Sequence, residues 1–266
     1  MNDFEKGNMS TITKKGNTLY KSKPYNSQTM KRFLNYMEPY NLNIPKYLGE
    51  TSDKIHLSYV KGNSIHSDAA NIPFEKKVIM ISSAAKILAT FHSATENFPI
   101  LEEDQYFLSY NGSLEIDVIC HNDFAPYNLT FEAFEAVGII DFDTICPAPR
   151  EWDIAYALYR FILIDTNIEN EYRELIKLFL KAYDYTKDTD FFPIVIERIQ
   201  ALVRLFDDEI SKNNQRFIEM ERNGHKKFYI EEIQRINIIW ANYNDSWLSH
   251  RNKFNDLSEN SSYGVL

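Results

Sequence analysis

Three side chains in two short polar segments have types and spacing suited to handling a phosphoryl group. In CHNDFAPYNL, residues 120–129, Asp123 and Asn128 stand five positions apart across a proline, and Asp141 follows eighteen positions after Asp123, closing the apolar run VGII. An amide and two carboxylates on loops offer oxygen ligands to a hard cation such as Mg²⁺, which takes one or two protein carboxylates and leaves its other positions to water and phosphate. A phosphoryl group in transit needs its charge neutralised and its acceptor hydroxyl held in line, and such positioning is worth roughly 7–11 kcal/mol. An Asp beside the hydroxyl, with an Asn and an Asp on the metal, would supply both. The plainer reading is a polar turn capping buried strands, and the joint spacing of three such groups weighs against it.

Those loops need elements to carry them. STITKKG and NTLYKSK read as two strands joined by a Gly-Asn turn. Ser27 is placed to cap a helix through QTMKRFLNYMEPY, where Met30, Phe33, Leu34 and Met37 share one side. DKIHLSYVKG reads as one more strand, and the composition changes near Val60. From NIPFEKKVIMISSAAKILATFHSAT onward helical patterns dominate, with Val78, Ile81, Ala85, Leu88 and His92 along one face. The strand-rich island LEIDVICHNDFAPYNLTFEAFEAVGIIDFD interrupts them. Helices in EYRELIKLFLKAY, FPIVIERIQALVRLFDDEI and HKKFYIEEIQRINIIWANYNDSWL follow, and NDLSENSSYGVL reads as a frayed tail.

Composition narrows the class. With 266 residues and 44% apolar content the chain can fill a sizeable core. Its net charge of −9 and lack of a Lys/Arg cluster argue against a nucleic-acid partner. The polar N-terminus lacks the apolar core of a signal peptide, and no stretch approaches the roughly 20 apolar residues of a membrane span, so no membrane partner and a cytoplasmic location are expected. Cys120 and Cys146 each lie beside Val and Ile and read as buried free thiols of a reducing compartment, without a disulfide. His92 falls on an apolar helix face as a packing residue, while His56, His66, His225 and His250 have no metal-ligand spacing.

The two polar segments also resemble a known pattern. Protein kinases carry H-R-D-x-x-x-x-N followed by Asp-Phe-Gly. Here His121-Asn122-Asp123 precedes Asn128, and Asp141-Phe142-Asp143 follows. The chain resembles the aminoglycoside phosphotransferase family of small-molecule kinases, with GNTLYKSKPYNSQTMKRFLNYM similar to its N-terminal lobe, LSYVKG to its hinge, CHNDFAPYNL to its catalytic loop and IDFDTICPAPREWDIAYAL to its metal loop and following helix. The resemblance implies an α+β, protein-kinase-like, two-lobed fold. Residues 1–60 would form a small, truncated N-terminal β-sheet lobe ending in the hinge, and residues 61–266 a large, mainly helical catalytic and substrate-binding lobe.

It also implies roles. Asp123 would accept or orient the substrate hydroxyl proton, and Asn128 and Asp141 would bind Mg²⁺. His121 would brace the loop, and Asp153 would tie it to the next helix. Lys21 would clamp the phosphates of ATP or GTP, with Ser58, Tyr59 and Val60 offering backbone groups to the purine. Asp143 stands where Asp-Phe-Gly has its glycine and is open to a second metal contact or a structural hydrogen bond. Two departures are visible: no G-x-G-x-x-G occurs, KGNMS being the candidate lid, and Met30 or a neighbour falls where a helix glutamate would pair with the lysine.

Acceptor size follows from spacing alone. Asp141 and Asp153 are twelve positions apart, too close for the extended segment on which protein kinases lay a peptide. A small hydroxylated molecule, aminoglycoside-like or another metabolite, is the expected acceptor. The acidic runs LFDDEI and FIEMER could attract a cationic one or could simply be solvated helix faces. The second functional reading is a kinase-fold binding or regulatory protein that transfers no phosphate.

Overall fold

A computed structural model describes residues 12–66, 72–164 and 169–259. The candidate lid KGNMS lies outside them. The chain divides into two compact units, Met1–Thr166 with Glu171–Asp188, and Asn167–Asn170 with Thr189–Leu266.

The first unit begins with the expected hairpin. Strands β1 (Ile12–Lys15) and β2 (Thr18–Ser22) pair antiparallel with Lys15 opposite Thr18, and Gly16 turns the chain at φ 61°. Helix α1 (Ser27–Met37) buries Met30, Phe33, Leu34 and Met37, the face read from the 3–4 spacing. The N-cap position is Asn26 rather than Ser27, and its side chain does not cap the helix. Two further strands, β3 (Tyr47–Glu50) and β4 (Lys54–Ser58), complete a four-stranded antiparallel sheet in the order β1-β2-β4-β3. β3 went unmarked in the sequence because four residues are too few to establish a period.

The rest of this unit is mainly helical. Helix α2 (Phe74–Thr95) buries Ile81, Ala84, Ala85, Leu88, Phe91 and His92. It is long and apolar enough to cross a bilayer by length and composition, yet over half of its apolar window is buried, as for a core helix. Two short ribbons hold the polar segments: β5 (Val118–Cys120) with β8 (Cys146–Ala148), and β6 (Leu129–Glu132) with β7 (Glu135–Ile139). Helix α3 (Arg150–Leu158) follows and runs into a π-helical turn, Tyr159–Leu163. Helix α4 (Glu169–Tyr183) packs its Tyr172, Leu175, Phe179 and Tyr183 inward.

The second unit is helical. Asp190 caps α5 (Phe191–Ser211) by accepting from the Phe192 amide, and Asn214 does the same for α6 (Gln215–Arg222) through the Arg216 amide. Helix α7 (His225–Glu259) continues into the segment expected to be a frayed tail. Phe206 of α5, Phe217 of α6 and Tyr229 of α7 form its aromatic centre, with ring centroids 5.2 and 6.1 Å from Phe206. Acids of the two acidic runs have partners here: Lys226 Nζ lies 2.5 Å from Asp207 and 3.7 Å from Glu221, and Lys212 lies 2.8 Å from Glu209.

Candidate active site

Strand β5 ends at Cys120, and the chain turns at once through Asn122, whose φ of 64° is unusual for a residue with a Cβ. One carboxylate holds that turn. Asp153, fully buried on α3, accepts the backbone N–H of His121 at 2.6 Å and of Asn122 at 2.8 Å, and lies 3.2 Å from Nε2 of His92. Burial alone would push its pKa up, but His92 and the loop donors outweigh burial and hold it below the usual carboxylate range. His92 in turn meets the Tyr183 hydroxyl through Nδ1 at 2.7 Å. Among the described residues, His92, Cys120 and Asp153 cluster closely enough to consider a metal, but all three are buried and hydrogen-bonded within the protein.

His121 joins the two polar segments. Its Nε2 lies 2.9 Å from the Ile140 carbonyl oxygen, and its Nδ1 accepts from the Asp123 amide at 3.3 Å, which fits the tautomer protonated at Nε2. The ring packs against Phe142 with a centroid distance of 5.1 Å, and Phe142 also meets Phe33 and Phe91. The aromatic between the two aspartates is therefore a core anchor that fixes them.

Both oxygens of Asp123 are engaged. Oδ1 accepts the Tyr127 hydroxyl at 2.6 Å and the Tyr156 hydroxyl at 3.0 Å, while Oδ2 accepts Nδ2 of Asn128 at 2.8 Å. Burial raises the Asp123 pKa above the ordinary aspartate value, against the opposing pull of these donors. Asn128 also donates to the Asp123 carbonyl at 2.9 Å and accepts the Ile140 amide through its own carbonyl at 2.9 Å, tying the 3₁₀ turn Pro126–Asn128 to the end of β7. Neither tyrosine was marked in the sequence, where 17 Tyr and 18 Phe read collectively as core. Their signal was position, one inside the catalytic-loop segment and one a turn beyond Asp153.

Asp141 adopts φ 64° and ψ 73°, turning its carboxylate out of the β7 direction. Lys21, on β2 and 4% exposed, places Nζ 2.6 Å from Oδ1 of Asp141 and 2.7 Å from Oδ2 of Asp143. Burial would lower the Lys21 pKa, but the two carboxylates raise it above the ordinary lysine value, so the ammonium stays charged. The more exposed Asp141 has its pKa lowered, because Lys21 overcomes burial there; for Asp143 burial wins and the shift is upward.

The residues expected at the hinge use part of their backbone within the protein. The Ser58 amide donates to the Lys46 carbonyl at 2.9 Å and the Tyr59 amide to the Asn17 carbonyl at 2.8 Å, while Lys14 Nζ sits 3.2 Å from the centre of the Tyr59 ring. The amides of Ser58 and Tyr59, two of the residues expected to offer backbone groups to a purine, are thus engaged within the sheet and its flanking turns. Val60 is buried against β7, where Gly138 gives it room.

The donors Asn128, Asp141 and Asp143 fit a hard divalent cation. They are oxygen ligands, and Oδ1 of Asp143 is buried without a hydrogen-bond partner, a cost that a cation would remove.

Residues 114–188 match the model of the phosphotransferase enzyme family. No curated protein matches the chain. Among solved structures, the GDP complex of wild-type aminoglycoside 2'-phosphotransferase-IIIa superposes with a TM-score of 0.56 at 17% identity, covering 90% of this chain and 92% of that one. The gentamicin complex of APH(2")-IIa gives 0.55 at 14%, covering 86% and 88%. A choline/ethanolamine kinase family protein from Mesorhizobium loti gives 0.56 at 11%, covering 88% and 91%. The resemblance first carried by two polar loops therefore holds at both levels: residues 114–188 match the phosphotransferase enzyme family, and the chain has the kinase-like fold of the aminoglycoside phosphotransferases.

Proposed function

We propose that this protein transfers the γ-phosphoryl group of ATP or GTP to a hydroxyl of a small molecule, aminoglycoside-like or another hydroxylated metabolite, with Mg²⁺ as cofactor. The observation that carries the reading is the joining of the two loops: Asp123 is bonded to Asn128, Lys21 bridges Asp141 and Asp143, and His121 links the two groups through Ile140. The sheet up to Val60 would serve the nucleotide and the residues beyond it the chemistry and acceptor. Nucleotide-bound and aminoglycoside-bound neighbours on the same fold support this assignment.

In this reading Asp123 aligns the acceptor hydroxyl and takes its proton as the new oxygen–phosphorus bond forms and the bond from the β–γ bridging oxygen breaks. Lys21 carries a charge suited to the phosphates, and Ser58, Tyr59 and Val60 would offer the purine their backbone groups other than the engaged Ser58 and Tyr59 amides. Asn128 and Asp141, with Asp143 alongside, would hold Mg²⁺, which when bound neutralises charge on the transferred group. The acceptor is small because β8 and α3 follow Asp141 directly, leaving no segment to seat a peptide.

A coupled nucleotide-turnover screen over hydroxylated metabolites, amino alcohols and aminoglycosides tests the proposal. Mg²⁺-dependent, EDTA-sensitive turnover with at least one acceptor is expected. Asp123→Ala should lower it by at least roughly 10²–10⁴-fold while preserving nucleotide binding. The second reading, a binding or regulatory protein on the kinase fold, draws on Lys21 being held by the very carboxylates a metal would use. It predicts calorimetric binding of Mg-nucleotide without turnover for any acceptor, or no binding at all.

A further inference from the structure

Helix α1, SQTMKRFLNYM, contains no acidic residue, so it has no carboxylate with which to hold Lys21. The lysine is nevertheless fixed, by carboxylates of the loop after β7. Asp143 grips its ammonium through Oδ2 at 2.7 Å. The backbone of Asp143 is itself pinned, because its carbonyl accepts Nδ2 of Asn26 at 3.0 Å in a buried bond. Asn26 occupies the N-cap position of α1, and its amide reaches the loop instead of capping the helix. A glycine at position 143 could accept from Asn26 but could not reach Lys21. The chain Asn26–Asp143–Lys21 thus connects the start of α1, the metal loop and β2, the connection that a strand-lysine and helix-acid pair would otherwise make.

Resting on the phosphotransferase reading, we propose that Asp143 is the positioning residue for Lys21, holding its ammonium where a nucleotide phosphate can reach it, in place of an acid on α1. Asp141 also touches Lys21, but its carboxylate is more exposed and it is the better placed of the two to turn to a metal. Two carboxylates within 2.7 Å of Nζ hold the Lys21 ammonium in one place before any nucleotide arrives.

The test is ADP binding measured calorimetrically in EDTA, where a residue that acts only as a metal ligand has no effect. Asp143→Asn should weaken metal-free ADP binding roughly 10-fold, the scale of a lost charge-assisted contact. Lys21→Met should weaken it at least as much, and the double variant should bind no more weakly than Lys21→Met alone, because Asp143 acts through the lysine. Asn26→Ala, which leaves both charged groups intact, should weaken it by a smaller factor and keeps the proposal testable if Asp143→Asn does not fold. Unchanged ADP affinity in Asp143→Asn or in Asn26→Ala would overturn the proposal, as would additive losses in the double variant. Tighter metal-free binding in Asp143→Asn would also overturn it, showing that Asp143 competes with phosphate for Lys21. Failure of the wild-type protein to bind ADP with or without Mg²⁺ would overturn the nucleotide reading as well, whereas the other outcomes leave that reading standing.

Discussion

The hydroxyl of Tyr127 donates to Oδ1 of Asp123 across 2.6 Å, and the Tyr156 hydroxyl reaches the same oxygen at 3.0 Å. With Asn128 on Oδ2, the carboxylate cannot rotate without breaking a bond to a charged acceptor. Tyr127→Phe should therefore lower turnover roughly 10-fold at unchanged ADP affinity, and Tyr156→Phe less, because its bond is longer. Steady-state rates with the acceptor identified by the turnover screen, alongside ADP calorimetry, check this. Faster turnover in Tyr127→Phe would show that the phenol blocks Asp123 instead of aligning it.

Asp153 has the clearest structural role in the site region. Asp153→Ala would leave the His121 and Asn122 amides and a ring nitrogen of His92 without their acceptor in the core. The expected cost is about 3–5 kcal/mol in urea unfolding. The pH dependence has a definite sign. Because the folded-state pKa is depressed, the contribution is fully present above the unfolded value of about 3.9 and is lost as pH falls through the folded value. Wild-type stability should fall in that acidic window, and Asp153→Asn should show a flatter acid limb.

The parts of the site legible in the sequence were those where chemistry broke a pattern. Asp123, Asn128 and Asp141 stood out because polar groups ended apolar runs, and the buried face of α1 followed from four apolar positions at helical spacing. The partners of Lys21 were illegible because they lie about 120 positions away and no local rule connects them. Ser27 looked like the helix cap because Ser favours that place; the residue before it occupies the cap position and bonds to the metal loop instead. The engagement of the Ser58 and Tyr59 amides was illegible for a similar reason: the contacts to Lys46 and Asn17 that occupy them are tertiary.

Gly138 on β7, opposite Thr130 on β6, marks a close approach between β7 and Val60. A Cβ there would lie 2.7 Å from the Asn43 carbonyl oxygen, 2.7 Å from Cγ1 of Val60 and 2.8 Å from Oγ1 of Thr130. Two of these neighbours are a backbone atom and the buried Val60 side chain, so relief requires moving β7 or Val60. Gly138→Ala should cost about 1–3 kcal/mol by overpacking. It should also weaken nucleotide binding, measured by calorimetry, if Val60 contacts the purine. Loss of stability with unchanged nucleotide affinity would separate Val60 from that role.

The two cysteines report on the integrity of the turn that carries Asp123. Cys120 and Cys146 sit opposite each other in the β5–β8 ribbon, both buried and neither in a disulfide. Cys120 points its thiol at the Pro149 carbonyl oxygen, 3.3 Å away, and Cys146 Sγ accepts from the side-chain Nδ2 of Asn122 at 3.0 Å. Burial pushes the Cys120 thiol well above its ordinary pKa, so little thiolate forms at neutral pH and reagent has no access to it. The native protein should resist a thiol-specific disulfide reagent, and both cysteines should react once urea unfolds the chain. Variants that loosen the turn, Asp153→Ala above all, should label faster in native buffer because Asn122 and the end of β5 lose the carboxylate that holds them. Prompt labelling of the wild-type protein would mean that the ribbon opens readily, and the turn that carries Asp123 with it.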